Sequence, residues 1–92
     1  MSVDGFRDNL GLGRFELEVG GQVAWADYRR GAGHLIIDHV EAPLALRGTG
    51  AAGRLMEAVA AEARRAGRKI IPLCGYAAAW LRRHREHADL IA

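Results

Sequence analysis

The residues best placed to do chemistry in this 92-residue chain lie in Arg47-Gly48-Thr49-Gly50-Ala51-Ala52-Gly53-Arg54. Its three glycines leave backbone N–H groups free of side-chain cover, and the apolar spacing that follows predicts a helix starting at Ala51. The first turn of such a helix adds unpaired N–H donors and the positive end of the helix dipole. That combination is a ready site for a phosphate or pyrophosphate, so a phosphate-bearing ligand is expected on this turn.

Two familiar glycine-rich patterns fail here. Gly48, Gly50 and Gly53 satisfy G-x-G-x-x-G, but a proline-containing connector stands where a dinucleotide fold needs an immediate strand-to-helix turn. The following strand also ends in Cys74 and Gly75 rather than in a ribose-holding acid. A nucleoside-triphosphate P-loop fails because no Lys-Ser/Thr pair follows the glycines.

The elements that must position the turn read clearly. Arg14 to Val19 alternates, with Phe15, Leu17 and Val19 on one face and Arg14, Glu16 and Glu18 on the other, as a half-buried strand does. Gly20-Gly21 suits a two-residue hairpin turn, and Gln22 to Tyr28 is the return strand. After a second turn at Arg30-Gly31-Ala32-Gly33, His34 to Glu41 is apolar enough for a central strand. Ala42 to Leu46 is a connector. Leu55, Met56, Val59, Ala60 and Ala63 form the apolar stripe of a helix capped at Gly67. Lys69 to Leu73 is a strand interrupted by Pro72, Tyr76 to about Arg83 is a short helix, and His84 to Ala92 is a tail. The order βββ-α-β-α gives an α/β fold with a mixed sheet, an antiparallel meander followed by helix-strand-helix. Pro72 cannot donate a ladder hydrogen bond, so its strand is expected to part from a neighbour or bulge there, opening a slot beside the helix start.

Size and composition narrow the function. The length predicts one domain over residues 1–92. Half the residues are apolar and 26% are charged, which argues against disorder. No apolar run reaches the ~20 residues of a membrane span, and Met1 to Asn9 lacks the pattern of a signal peptide. The lone Cys74 excludes an internal disulfide and fits a reducing, cytoplasmic setting. The isoelectric point near 9.2 looks like a nucleic-acid signal, but the formal net charge is only +2. The two basic clusters, Arg64 to Lys69 and Arg82 to Arg85, fall at predicted helix C-termini, where cations suit the dipole, and so argue against a nucleic-acid partner. No metal site is expected.

The glycine turn fits a different pattern better. Arg47-x-x-Gly50-x-Ala52 matches the Arg/Gln-x-x-Gly-x-Gly/Ala signature, and the chain resembles the GNAT superfamily of N-acetyltransferases, in particular its minimal single-domain branch. His39-Val40-Glu41-Ala42-Pro43, Leu46-Arg47-Gly48-Thr49-Gly50, Ile71-Pro72-Leu73-Cys74 and Arg83-His84 correspond to strings of that branch, from about Arg14 to Leu90. The resemblance implies acetyl-CoA as cofactor and a splayed parallel strand pair that admits its pantetheine arm. It places Arg47, Gly48, Thr49, Gly50, Ala51, Ala52 and Gly53 around the pyrophosphate, and the main chain of Ala42 against the arm. It implies a primary amine acceptor, on a protein lysine or a small molecule, and a monomer or weak homodimer with no membrane association.

The resemblance also selects candidates for catalysis. An amine must be neutral to attack, and deprotonating a lysine at pH 7 costs about 4–5 kcal/mol, so a base is useful. Glu41, at the end of the central strand beside the implied acetyl position, is the candidate, with His39 on the same strand face. Cys74 ends the flanking strand and either shapes the pocket or acts as a nucleophile, which would require a lowered pKa. Many members carry a tyrosine in the last helix to protonate the departing thiolate. Trp80 stands at that position here, and Tyr76, one turn earlier, is the candidate acid. Two other readings remain open: a non-catalytic acyl-CoA-binding module, and an interaction domain using a sheet face that bears Trp25.

Overall fold

The computed structural model describes residues 5–92. The expectation about a leader at the N-terminus falls partly on residues 1–4, outside the described residues. Five strands form one mixed sheet in sequence order: β1 (Gly5–Asn9), β2 (Arg14–Val19), β3 (Gln22–Gly31), β4 (His34–Glu41) and β5 (Lys69–Pro72). The first four are antiparallel neighbours, and β5 lies parallel to β4. That parallel step needs a crossover, which helix α1 (Ala51–Arg65) supplies. A second helix, α2 (Gly75–Arg83), follows β5, and the tail makes a 3₁₀ segment over Arg85–Leu90.

The first strand is an addition to the sequence reading. Only Phe6 and Asp8 of β1 face the helices in register with Leu17 and Phe15, so a single apolar residue carries its inward signal. Phe6 stacks on Phe15 at 5.6 Å, and Phe15 on Tyr28 at 4.2 Å. This aromatic row ties the edge strand to the core. The strand β3 also runs further than Tyr28, to Gly31.

The expected helix stripe is the buried one. Ala51, Leu55, Met56, Val59, Ala60 and Ala63 are all buried. Alanines on both sides, with Ala24 and Ala26 fully buried on β3, let α1 lie close to the sheet. Beyond Arg65, Gly67 adopts φ +67°, while its N–H bonds Arg64 O at 3.2 Å and the Arg68 N–H bonds Ala63 O at 2.9 Å. This is a Schellman ending, and it demands a residue free to take the left-handed conformation.

Both helices lie on one face of the sheet, where a Cβ placed on Gly53 of α1 would come within 3.5 Å of Trp80 Nε1 of α2. The opposite face is ionic. Glu16, only 3% exposed, takes hydrogen bonds from Arg7 and Arg14 at 2.6 Å each and from Asn9 at 3.1 Å. Burial alone would push the Glu16 carboxyl up, but those donors outweigh it and hold the group below its usual range. Trp25, on the sheet face that the interaction-domain reading would use, is half-buried with the Arg14 guanidinium 4.8 Å above its ring.

The two sheet features that open a slot are a bulge and a parting of strands. Asp27 pairs with His39 and Tyr28 with Ile37, so Asp38 is an extra residue on β4. The bulge resets the side-chain alternation. Ile37 and Val40 both turn toward the helices, while His39 and Glu41 share the outer face. The β4–β5 ladder ends at Ile37 opposite Pro72, whereas β4 continues to Glu41. The parting occurs where the proline sits, but for a different reason from the one expected. Lys69 N bonds Gly33 O and Leu73 N bonds Ile37 O, both at 2.9 Å, so the odd-numbered amides of β5 face β4. Residue 72 therefore points its nitrogen to the outer edge, the edge on which Ala92 N reaches Ile70 O. Pro72 blunts that edge. The ladder itself stops where Leu73 N and Cys74 N converge on the one Ile37 carbonyl, at 2.9 and 3.3 Å, and the bulge begins.

Candidate functional site

The glycine turn is built by short-range bonds. Leu44–Leu46 forms a single 3₁₀ turn in which Leu46 N meets Pro43 O at 2.9 Å and Arg47 N meets Leu44 O at 3.1 Å. Thr49 locks the next step, because its hydroxyl donates to Leu46 O at 2.5 Å and accepts from Ala51 N at 3.3 Å. Gly48 and Gly50 take φ +79° and +82°, which a side chain would strain. A Cβ on Gly48 would point into open space.

Helix α1 then starts with Gly50 as its cap, without a side-chain hydrogen bond and without an acidic residue in its first turn. The N–H groups of Gly48, Gly50, Ala52 and Gly53 have no hydrogen-bond partner among the described residues. Uncapped donors at the positive end of a 15-residue helix favour an anion.

These groups edge a cavity of about 270 Å³, lined by Ala42, Leu46, Arg47, Gly48, Gly50, Ala51, Ala52, Gly53 and Tyr76. The end of β4, the turn and the start of α2 thus meet around one space. Six of the seven expected turn residues line it, together with Ala42 and Tyr76. Thr49 holds the turn instead of facing the cavity. Leu46 is the lining residue that the sequence reading left in a connector, and its only signal was an isolated apolar position before the glycines.

Of the remaining candidates, Tyr76 lines this space, and Glu41 and Cys74 are not among its lining residues. Glu41, the last residue of β4, places Oε2 3.5 Å from His39 Nε2 and Oε1 3.8 Å from Arg47 Nη2. The same guanidinium donates through Nε to Ala42 O at 3.2 Å. Cys74 precedes α2, half-buried against the core, and its carbonyl accepts from Ala78 N at 2.9 Å. Tyr76, 39% exposed, stands in the first turn of α2. Burial pushes its phenol up and nearby Cys74 adds to this, with Arg83 opposing, so the proton is held through neutral pH.

Trp80 is 3% exposed and belongs to the core. Its ring stacks on His84 at 3.8 Å and on His87 at 5.7 Å. His87 Nε2 lies 2.5 Å from Glu57 Oε1, which turns this basic tail residue inward against α1. The first basic cluster is likewise tied within the fold: Arg64 to Asp89, Arg65 to Glu62, and Arg68 to the Gly31 carbonyl. Among the described residues, no helix is long and apolar enough to cross a membrane.

Residues 14–90 match the family model described as GCN5-related N-acetyl-transferase. The fold matches the solution NMR structure of a GCN5-like candidate N-acetyltransferase from Staphylococcus aureus with a TM-score of 0.71 and 25% identity, over all of this chain and 91% of that one. No curated protein matches the sequence. The family match spans most of the chain and the shared fold agrees with it: this protein belongs to the GCN5-related N-acetyltransferase family.

Proposed function

We propose that this protein transfers acetyl from acetyl-CoA to a primary amine by direct attack. The observation that carries the reading is the set of four unpartnered N–H groups of the glycine turn, set around a cavity that continues to the parted end of β4. A pyrophosphate fits such donors, and the opening beyond Ile37 and Pro72 leaves room for an extended arm along β4. When bound, acetyl-CoA supplies the thioester carbonyl that the amine attacks.

Glu41 is assigned as the base. It lies on the outer face of the sheet, which no helix covers, so an acceptor reaches it without crossing the core. Its carboxylate takes the proton that the attacking amine must lose. Tyr76 is assigned as the acid, because its phenol keeps a proton at neutral pH and borders the same cavity. That proton goes to the sulfur as the bond to the acyl carbon breaks. Cys74 is assigned to the wall of the arm site. The lone thiol fits a cytoplasmic setting.

The test is thiol release from acetyl-CoA across a panel of diamines and lysine peptides. Wild type should turn over at least one acceptor. Glu41→Gln and Tyr76→Phe should each lower kcat by about 10²-fold with cofactor affinity retained. Cofactor binding with no turnover on any amine would leave a non-catalytic acyl-CoA-binding module instead.

A further inference from the structure

Past the bulge, β4 has no β5 partner, so the Ala42 carbonyl reaches the cavity with its hydrogen bond to be satisfied by something else. Arg47 satisfies it. The Nε–H donates to Ala42 O at 3.2 Å while Nη2 stands 3.8 Å from Glu41 Oε1. One planar guanidinium therefore bridges a main-chain acceptor of the arm site and the carboxylate assigned as base. The same residue borders the cavity beside the unpartnered amides of Gly48 and Gly50. Its side chain is 61% exposed, so little packing holds it in this position.

We propose that Arg47 is a latch that the pyrophosphate opens. In the free protein it occupies the Ala42 carbonyl and screens Glu41. A doubly charged phosphate group on the turn offers the guanidinium a stronger, bidentate acceptor than one carbonyl and a carboxylate at 3.8 Å. Drawing Arg47 to the phosphates releases Ala42 O to an amide N–H of the arm. It also strips Glu41 of the cation that would repel an incoming ammonium. The nucleotide half of the cofactor thus prepares the site for its other half and for the acceptor. This inference rests on the acetyl-CoA reading of the site.

The latch predicts effects of opposite sign on two halves of one ligand. Calorimetric titration would use CoA and pantetheine on wild type, Arg47→Ala and Arg47→Lys. Arg47→Ala should bind CoA about 3- to 10-fold more weakly, having lost a phosphate cation, yet bind pantetheine about 3-fold more tightly or better, because Ala42 O is free. Arg47→Lys keeps the charge without the fork, so it should stay near wild type for CoA and still gain for pantetheine. In NMR spectra of wild type, the Arg47 Nε–H resonance should move when inorganic pyrophosphate is added. A purely structural arginine would weaken both ligands. Pantetheine affinity that is unchanged, lower, or undetectable in all three proteins overturns the latch while CoA binding by wild type stands. Failure of wild type to bind CoA, by contrast, overturns the reading of the site.

Discussion

Glu16 shows how one residue can matter to the whole sheet without touching the chemistry. It is a carboxylate on the outer face, yet it is buried and held by three donors. Its folded pKa lies below the unfolded value, so its stabilising contribution is complete above about pH 4.3 and is lost as pH falls through the folded value. The urea midpoint should fall as the pH drops below about 4.3. Glu16→Gln should lower the midpoint at neutral pH and flatten that fall. Some fall remains, because Asp38 beside Arg29 and Asp89 beside Arg64 are also held low. An acid fall as steep in Glu16→Gln as in wild type would contradict this. At the other end of the scale, Tyr28, buried and bonded to Asp8, is pushed up to about 12. Its contribution is present below about pH 10 and lost only as the pH rises through that value. The strip of sequence that named Glu16 as an outward polar residue was right about the face. It held no sign of burial, because Arg7 and Asn9 come from β1, which has too little apolar pattern to be read.

The elements divide the roles of the aromatic residues on α2. Trp80 faces α1 and carries the stack on His84 and His87, while Tyr76, one turn earlier, borders the cavity. Trp80→Ala should destabilise the fold by about 3–5 kcal/mol, as deletion of a buried aromatic does. Tyr76→Phe should leave the unfolding midpoint near wild type. Equal effects of the two on stability would contradict the division. The regular elements were legible because period and turn residues agreed: alternation over Arg14–Val19, glycine pairs at the hairpin, and the stripe from Ala51 to Ala63. The slot was only half legible. Pro72 marked its position, but its nitrogen faces the outer edge, and the parting comes from the bulge at Asp38 and the shared Ile37 carbonyl. A bulge inserts one residue into a strand without altering composition, so no pattern in His34–Glu41 announces it. The bond from Arg47 to Ala42 was illegible for a related reason, since it depends on a 3₁₀ turn folding the connector back on the strand end.

At the scale of the molecule, both helices occupy one face of the sheet, and the glycine turn sits where the sheet opens. That arrangement puts the unpartnered amides and the end of β4 around one cavity, with Glu41 on the ionic outer face. The sequence signature of the turn survives intact in the structure because its requirements are local: left-handed glycines, a threonine lock and a helix start. What the fold adds is the convergence of Ala42 and Tyr76 on the same cavity. The central claim is that this cavity holds the pyrophosphate of acetyl-CoA. Calorimetric titration of wild type and Gly50→Trp with acetyl-CoA tests it most directly. Wild type should bind, and the tryptophan, set at a φ of +82° over the unpartnered amides, should abolish binding while circular dichroism shows the fold retained. A wild type that gives no heat with acetyl-CoA, or a folded Gly50→Trp that binds as tightly as wild type, would contradict it.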